Sequence, residues 1–170
     1  MKEIVGSFSG NNYKTFIQYA FQKSKAFMFV VCKYDGNSSF NQKVKPLVRN
    51  LSPYEIKKRK DKRWPGVITQ DKRTYILHFY KCCSETEDIL LASANDLYDW
   101  NYPCFPEDLS FYRANGLCWF YSITHEQCAF LESEEPDDIR FMKKNLGLEI
   151  RDIDSLSLED ELAQPFIERL

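Results

Sequence analysis

The stretch Asp108-Leu-Ser-Phe-Tyr-Arg-Ala-Asn-Gly-Leu-Cys-Trp-Phe-Tyr-Ser-Ile-Thr124 constrains the fold more than any other. Asn115-Gly116 lies between two runs rich in aromatic and β-branched residues. Both residues accept positive φ, which a tight turn between right-twisted strands requires. The pattern predicts a hairpin, Asp108 to Arg113 against Leu117 to Thr124. Strict alternation puts Leu117, Trp119, Tyr121 and Ile123 on one face, and Cys118, Phe120, Ser122 and Thr124 on the other. Both faces carry apolar groups, as in a central strand covered on each side. Thr124-His125-Glu126-Gln127 is the first polar interval, and Cys128-Ala129-Phe130-Leu131 resumes the apolar pattern as a third run, giving a three-stranded meander.

Other segments supply helices and further strands. Asn11 or Asn12 can cap a helix whose Phe16, Ile17, Ala20 and Phe21 recur at helical spacing. Ala26 to Cys32 and Thr74 to Tyr80 read as buried strands, and Asp35 to Ser39 as a loop. Phe40 to Leu51 reads as a helix in which Pro46 must lie in the first turns or introduce a kink. Ser52-Pro53-Tyr54-Glu55 has the form of a capping box and predicts a helix running into the basic stretch, stopped by Trp64-Pro65-Gly66. A second box at Ser84 opens a helix that ends near Asn95. Trp100 to Pro106 is an irregular crossing. Pro136-Asp137-Asp138 opens a helix through Lys144, Gly147 ends it, and Leu148 to Ile153 suits an edge strand. The fold class is α+β: one domain over residues 1–154 with helices around an antiparallel sheet, then an acidic tail, 155–170, with the spacing of a short docked helix.

The net charge of −2 conceals an asymmetry. Residues 1–85 carry +11 and residues 86–170 carry −13. The positive part includes Lys57, Lys58, Arg59, Lys60, Lys62 and Arg63, a possible polyanion contact with Trp64 available for stacking. A sequence pI near 5.8 argues against a dedicated nucleic-acid binder. The negative part includes Glu132, Glu134, Glu135, Asp137 and Asp138 near Tyr98, Trp100 and Tyr102. Acids steer a cationic partner and aromatics anchor it, so these eight residues form the candidate partner-binding face.

Chemistry is less well supplied. His125 beside Glu126, or a cysteine paired with His125, are the catalytic alternatives, but a histidine at a bend between strands is more often structural, and no catalytic residue is assigned. Cys118 lies in a strand expected to be buried, which disfavours its thiolate. Cys104, Cys118, His125 and Cys128 fall at intervals of 14, 7 and 3 residues, unlike paired metal knuckles, so no metal is expected. The six cysteines read as reduced, mostly buried thiols. The glycines form no phosphate-cradling loop, so no cofactor is expected. No apolar run approaches the roughly 20 residues of a membrane span, and the N-terminus lacks the pattern of a secretory signal, which implies a cytoplasmic protein without a membrane partner.

Pro106-Glu-Asp-Leu-Ser-Phe-Tyr-Arg113 followed by Trp119-Phe-Tyr-Ser-Ile-Thr-His-Glu126 resembles a group of small uncharacterised bacterial proteins. More loosely, it resembles the immunity proteins that neutralise bacterial toxins. The likeness covers residues 100–145, and the basic run at 57–63 lies outside it. It implies a cytoplasmic antitoxin that binds a cognate protein toxin by stoichiometric occlusion and without chemistry of its own; the acidic face adds the expectation that this toxin is cationic, for example a nuclease.

Overall fold

The Asn115-Gly116 turn closes a hairpin. Gly116 has φ +81°, its N–H donates to the Arg113 carbonyl at 2.9 Å, and the Asn115 side chain accepts from the Leu117 N–H at 3.0 Å. Around it, a computed structural model describes residues 1–33 and 40–153. The loop expected at Asp35 to Ser39 and the tail at 155–170 lie outside the described residues.

The strands are β1 (Lys2–Val5), β2 (Ala26–Lys33), β3 (Glu55–Lys60), β4 (Arg63–Trp64), β5 (Val67–Ile68), β6 (Thr74–Lys81), β7 (Glu107–Tyr112), β8 (Cys118–Ile123), β9 (Cys128–Leu131) and β10 (Glu149–Asp152). The helices are α1 (Asn11–Lys23), α2 (Phe40–Leu51), α3 (Ser84–Ser93) and α4 (Pro136–Arg140). Eight strands form one antiparallel sheet in the order β10-β1-β9-β8-β7-β2-β6-β3, while β4 and β5 make a separate small hairpin. The fold is α+β, with the predicted meander β7-β8-β9 inside the sheet and the predicted strand β10 at its edge.

The sheet is apolar on both faces because its central strands alternate between two cores. Phe27, Phe29, Tyr80, Phe111 and Phe120 meet Phe16, Ile17 and Ala20 of α1, Val44, Leu47 and Leu51 of α2, and Leu90 of α3. Met28, Val30, Leu77, Phe79, Tyr112 and Tyr121 form the second core, with Trp64 of the small hairpin. Full burial of a large apolar side chain is worth about 1.5–3 kcal/mol, so these two layers dominate the stability of the sheet.

Three expectations are corrected. In β8, Phe111 pairs with Phe120 but Tyr112 pairs with Cys118, so Trp119 is an extra, bulged residue. The bulge resets the alternation. Trp119 joins Phe120 in the helix-side core, and Cys118 joins Tyr121 and Ile123 on the other face. After Ser52, the chain makes only a three-residue 3-10 turn, Ser52–Tyr54, and then runs as the edge strand β3 instead of a helix. A helix through Lys57-Lys58-Arg59-Lys60 would stack like charges one turn apart, whereas an edge strand exposes Lys57, Lys58 and Lys60 to water. The helix from Pro136 stays α-helical only to Arg140, and Phe141–Asn145 widen into a π turn. There the Phe141 ring stacks on Tyr19 of α1 at 3.7 Å.

Candidate functional site

The β4–β5 hairpin lies against the second face of the sheet, and a cleft of about 530 Å³ opens beside it. Its lining includes Trp64, Tyr75 and Ile123 as apolar wall and Arg73, Glu107 and His125 as polar groups. The hairpin fits closely because residue 66 has no side chain: a Cβ on Gly66, at φ +77°, would sit 2.5 Å from the Tyr121 ring and 2.9 Å from Ile123.

Asp108 fixes the cleft's inner wall. It is fully buried and holds φ +61°, a left-handed conformation that Asp adopts only at a cost. Its carboxylate accepts from the Thr124 N–H at 2.8 Å, the Thr124 hydroxyl at 3.1 Å and the Trp64 indole N–H at 2.7 Å. The single Thr124 hydroxyl proton is shared between this carboxylate and the nearer Trp100 carbonyl, 2.6 Å away. One carboxylate therefore ties the small hairpin to the turn that carries His125. Burial raises the Asp108 pKa, and the three donors oppose that rise.

Glu107, half-buried and one residue earlier, has its carboxyl pushed up to about 7, by burial first and by the neighbouring Asp108 charge second; His125 and Arg73 offset part of this. Burial without compensating hydrogen bonds disfavours a carboxylate in this way. The sequence reading passed over Glu107, Asp108 and Arg73. The available signal was two successive acids at the start of a run that is otherwise largely apolar, Leu109-Ser-Phe-Tyr112.

His125 occupies the predicted bend, a 3-10 turn over Thr124–Glu126 between β8 and β9. Its ring lies 3.7 Å from Glu126, and both side chains are exposed. Cys118 is buried and its thiol pKa is raised chiefly by that burial, so it does not supply a ready thiolate. All six cysteines are free, with Cys32 and Cys118 buried, Cys82, Cys83 and Cys128 half-buried, and Cys104 exposed against the expectation of burial. Among the described residues, no three His, Cys, Asp or Glu side chains gather as a metal site would require.

The predicted acidic and aromatic face divides into surface and interior. Glu134, Glu135 and Asp137 are exposed, while Glu132, Tyr98 and Tyr102 are half-buried. Trp100 is fully buried, its indole N–H donating to the Tyr13 hydroxyl at 3.0 Å, so it anchors the core and cannot anchor a partner. Asp138 is also fully buried. It accepts from the Tyr19 hydroxyl at 2.7 Å, the Ser133 hydroxyl and the Arg113 guanidinium, which lies over the Trp119 ring at 4.8 Å. This acid is a structural clamp between α1, the hairpin and α4.

The exposed acids have local partners. Glu134 meets Lys2 at 2.6 Å, Glu135 meets Arg113 at 3.4 Å and Asp137 meets Arg140 at 2.6 Å. Within the run at 57–63, Arg59 pairs with Asp61 at 3.2 Å. The basic residues sit on β3, at one edge of the sheet, and on the connection that follows it. Glu134, Glu135 and Asp137 follow β9, near the other edge. Trp64 is 4 % exposed and committed to Asp108, which removes the stacking platform expected beside the basic run.

No protein-family model, curated protein or solved structure matches the chain significantly. No helix among the described residues is long and apolar enough to cross a membrane.

Proposed function

We propose that this chain is an immunity-type protein that binds a cationic protein toxin, such as a nuclease, and occludes its active cleft without catalysis of its own. The observation that supports this reading is the separation of charge across the sheet: exposed lysines on β3 at one edge, and exposed acids that follow β9 near the other. Such a dipolar surface turns a basic partner toward its acidic side before contact, which accelerates association. Glu126, Glu134, Glu135 and Asp137 are the steering charges, and the half-buried rings of Tyr98 and Tyr102 supply apolar contact. A stable complex would bury roughly 800 Å² on each partner.

The test is co-expression with the toxin domain encoded beside this chain's own gene. Wild type and His125→Ala restore growth, whereas the combined variant Glu134→Gln, Glu135→Gln, Asp137→Asn associates at least tenfold more slowly at low salt. If growth is not restored and no complex forms with the purified domain, the reading fails.

A further inference from the structure

We infer that the cleft beside the β4–β5 hairpin is a receptor for one basic side chain, an arginine or lysine of the partner, with the Glu107 carboxylate as its counter-ion. The source of that side chain rests on the function proposed above; the chemistry of the cleft does not. A volume of about 530 Å³ accommodates a long side chain together with its flanking backbone. The walls suit the two parts of such a group. Val67 and the exposed Ile68 of the small hairpin, backed by the buried Trp64, Tyr75 and Ile123, offer apolar surface to the methylene stem, while carboxylates wait for the charged head.

The sign of the ligand follows from the charged groups that face Glu107. On its own strand is Asp108; on the β8–β9 turn are His125 and Glu126; before β6 is Arg73, with the Tyr75 hydroxyl on the strand itself. Arg73 lies 3.5 Å from Asp71, and the Tyr75 hydroxyl donates to the same carboxylate at 2.8 Å, so both are drawn toward Asp71. Three carboxylates against one guanidinium that already has an acid beside it favour a cation. A cation in the cleft stabilises the ionised form of Glu107, so binding near neutral pH releases the proton that burial had retained.

The probe is Nα-acetyl-arginine methylamide, compared with its citrulline counterpart, which has the same shape without the charge. Titration followed by NMR is expected to move the signals of Trp64, Tyr75 and Ile123, with arginine binding at least tenfold tighter than citrulline at pH 8. Affinity falls about tenfold or more between pH 8 and pH 5.5. That fall persists in His125→Ala and disappears in Glu107→Gln, which binds the probe at least tenfold more weakly at pH 8. Arg73→Gln binds more tightly, because a competing cation is gone; an anion site would weaken. A thermal melt establishes that each variant is folded. Equal binding of citrulline, unchanged affinity in Glu107→Gln, weaker binding in Arg73→Gln, or shifts confined to other residues would overturn the inference. Loss of probe binding with growth rescue intact defeats the cleft alone; probe binding without rescue defeats the proposed function alone.

Discussion

The indole N–H of Trp64 reaches Asp108 at 2.7 Å, so a hydrogen bond between residues 44 positions apart holds the small hairpin on the sheet. Trp64→Phe keeps most of the ring and removes the donor, leaving a buried carboxylate oxygen short of a partner. The expected loss is about 1–3 kcal/mol, read as a lower urea midpoint at unchanged slope. In Asp108→Asn the same change costs less, and a double-mutant cycle isolates the coupling.

Asp138 and Asp137 are adjacent acids with opposite burial. Asp138→Ala removes the buried acceptor shared by Tyr19, Ser133 and Arg113, leaving Arg113 the more distant Glu135, and is expected to cost about 1–3 kcal/mol. Asp137→Ala breaks only an exposed pair with Arg140, and stays within about 0.5 kcal/mol. Chemical denaturation of the two variants side by side measures the contrast.

Glu107 makes stability depend on pH. Its folded pKa of about 7 lies above the ordinary 4.5, so the folded state holds this proton more tightly than the unfolded chain does. The resulting stabilisation is complete below about pH 4.5 and is lost as pH rises through 7. Glu107→Gln therefore matches wild type in acid and is more stable by about 1–2 kcal/mol at pH 8, a figure discounted for the side chain's remaining contact with water. Melting curves from pH 4 to pH 8 should separate across that window; parallel curves would refute the assignment.

Gly66→Ala tests the hairpin's seat. The added methyl meets the Tyr121 ring at 2.5 Å, and the left-handed backbone adds its own penalty. A loss of more than about 2 kcal/mol is expected, with NMR shifts concentrated at Tyr121 and Ile123.

Much of the framework was legible in the sequence because strong local signals agree with the tertiary structure. Asn115-Gly116 set the hairpin, the apolar runs 26–32 and 74–80 became β2 and β6, and Phe16, Ile17, Ala20 and Phe21 became the buried stripe of α1. Failures arose where a longer-range interaction prevailed. The capping pattern at Ser52 lost to strand pairing with β6, which places Glu55 2.6 Å from His78. At Ser84 the cap is Cys83 instead, with Thr86 accepting from its N–H at 3.1 Å. β1 and the β4–β5 hairpin are too short to show periodicity, since each is defined by what it lies against.

The site was harder to read than the fold. Charge segregation along the chain is visible in any count of residues, but whether an acid faces water or a buried arginine is not: Asp137 and Asp138 are indistinguishable as letters. Trp100 and Trp64 looked like surface aromatics because polar residues surround them in sequence; in space each donates its N–H inside the protein. Glu107 escaped notice because its environment is assembled from β6, β7 and the β8–β9 turn together.

The lysines of β3 also bear on how the molecule behaves when crowded. An open strand edge is a template on which a second copy could add its own edge and start a ribbon. Here such an approach would bring Lys57, Lys58 and Lys60 of one copy alongside the same row of another, across a spacing of about 4.8 Å. Mutual repulsion at that distance disfavours the pairing of one β3 edge with another.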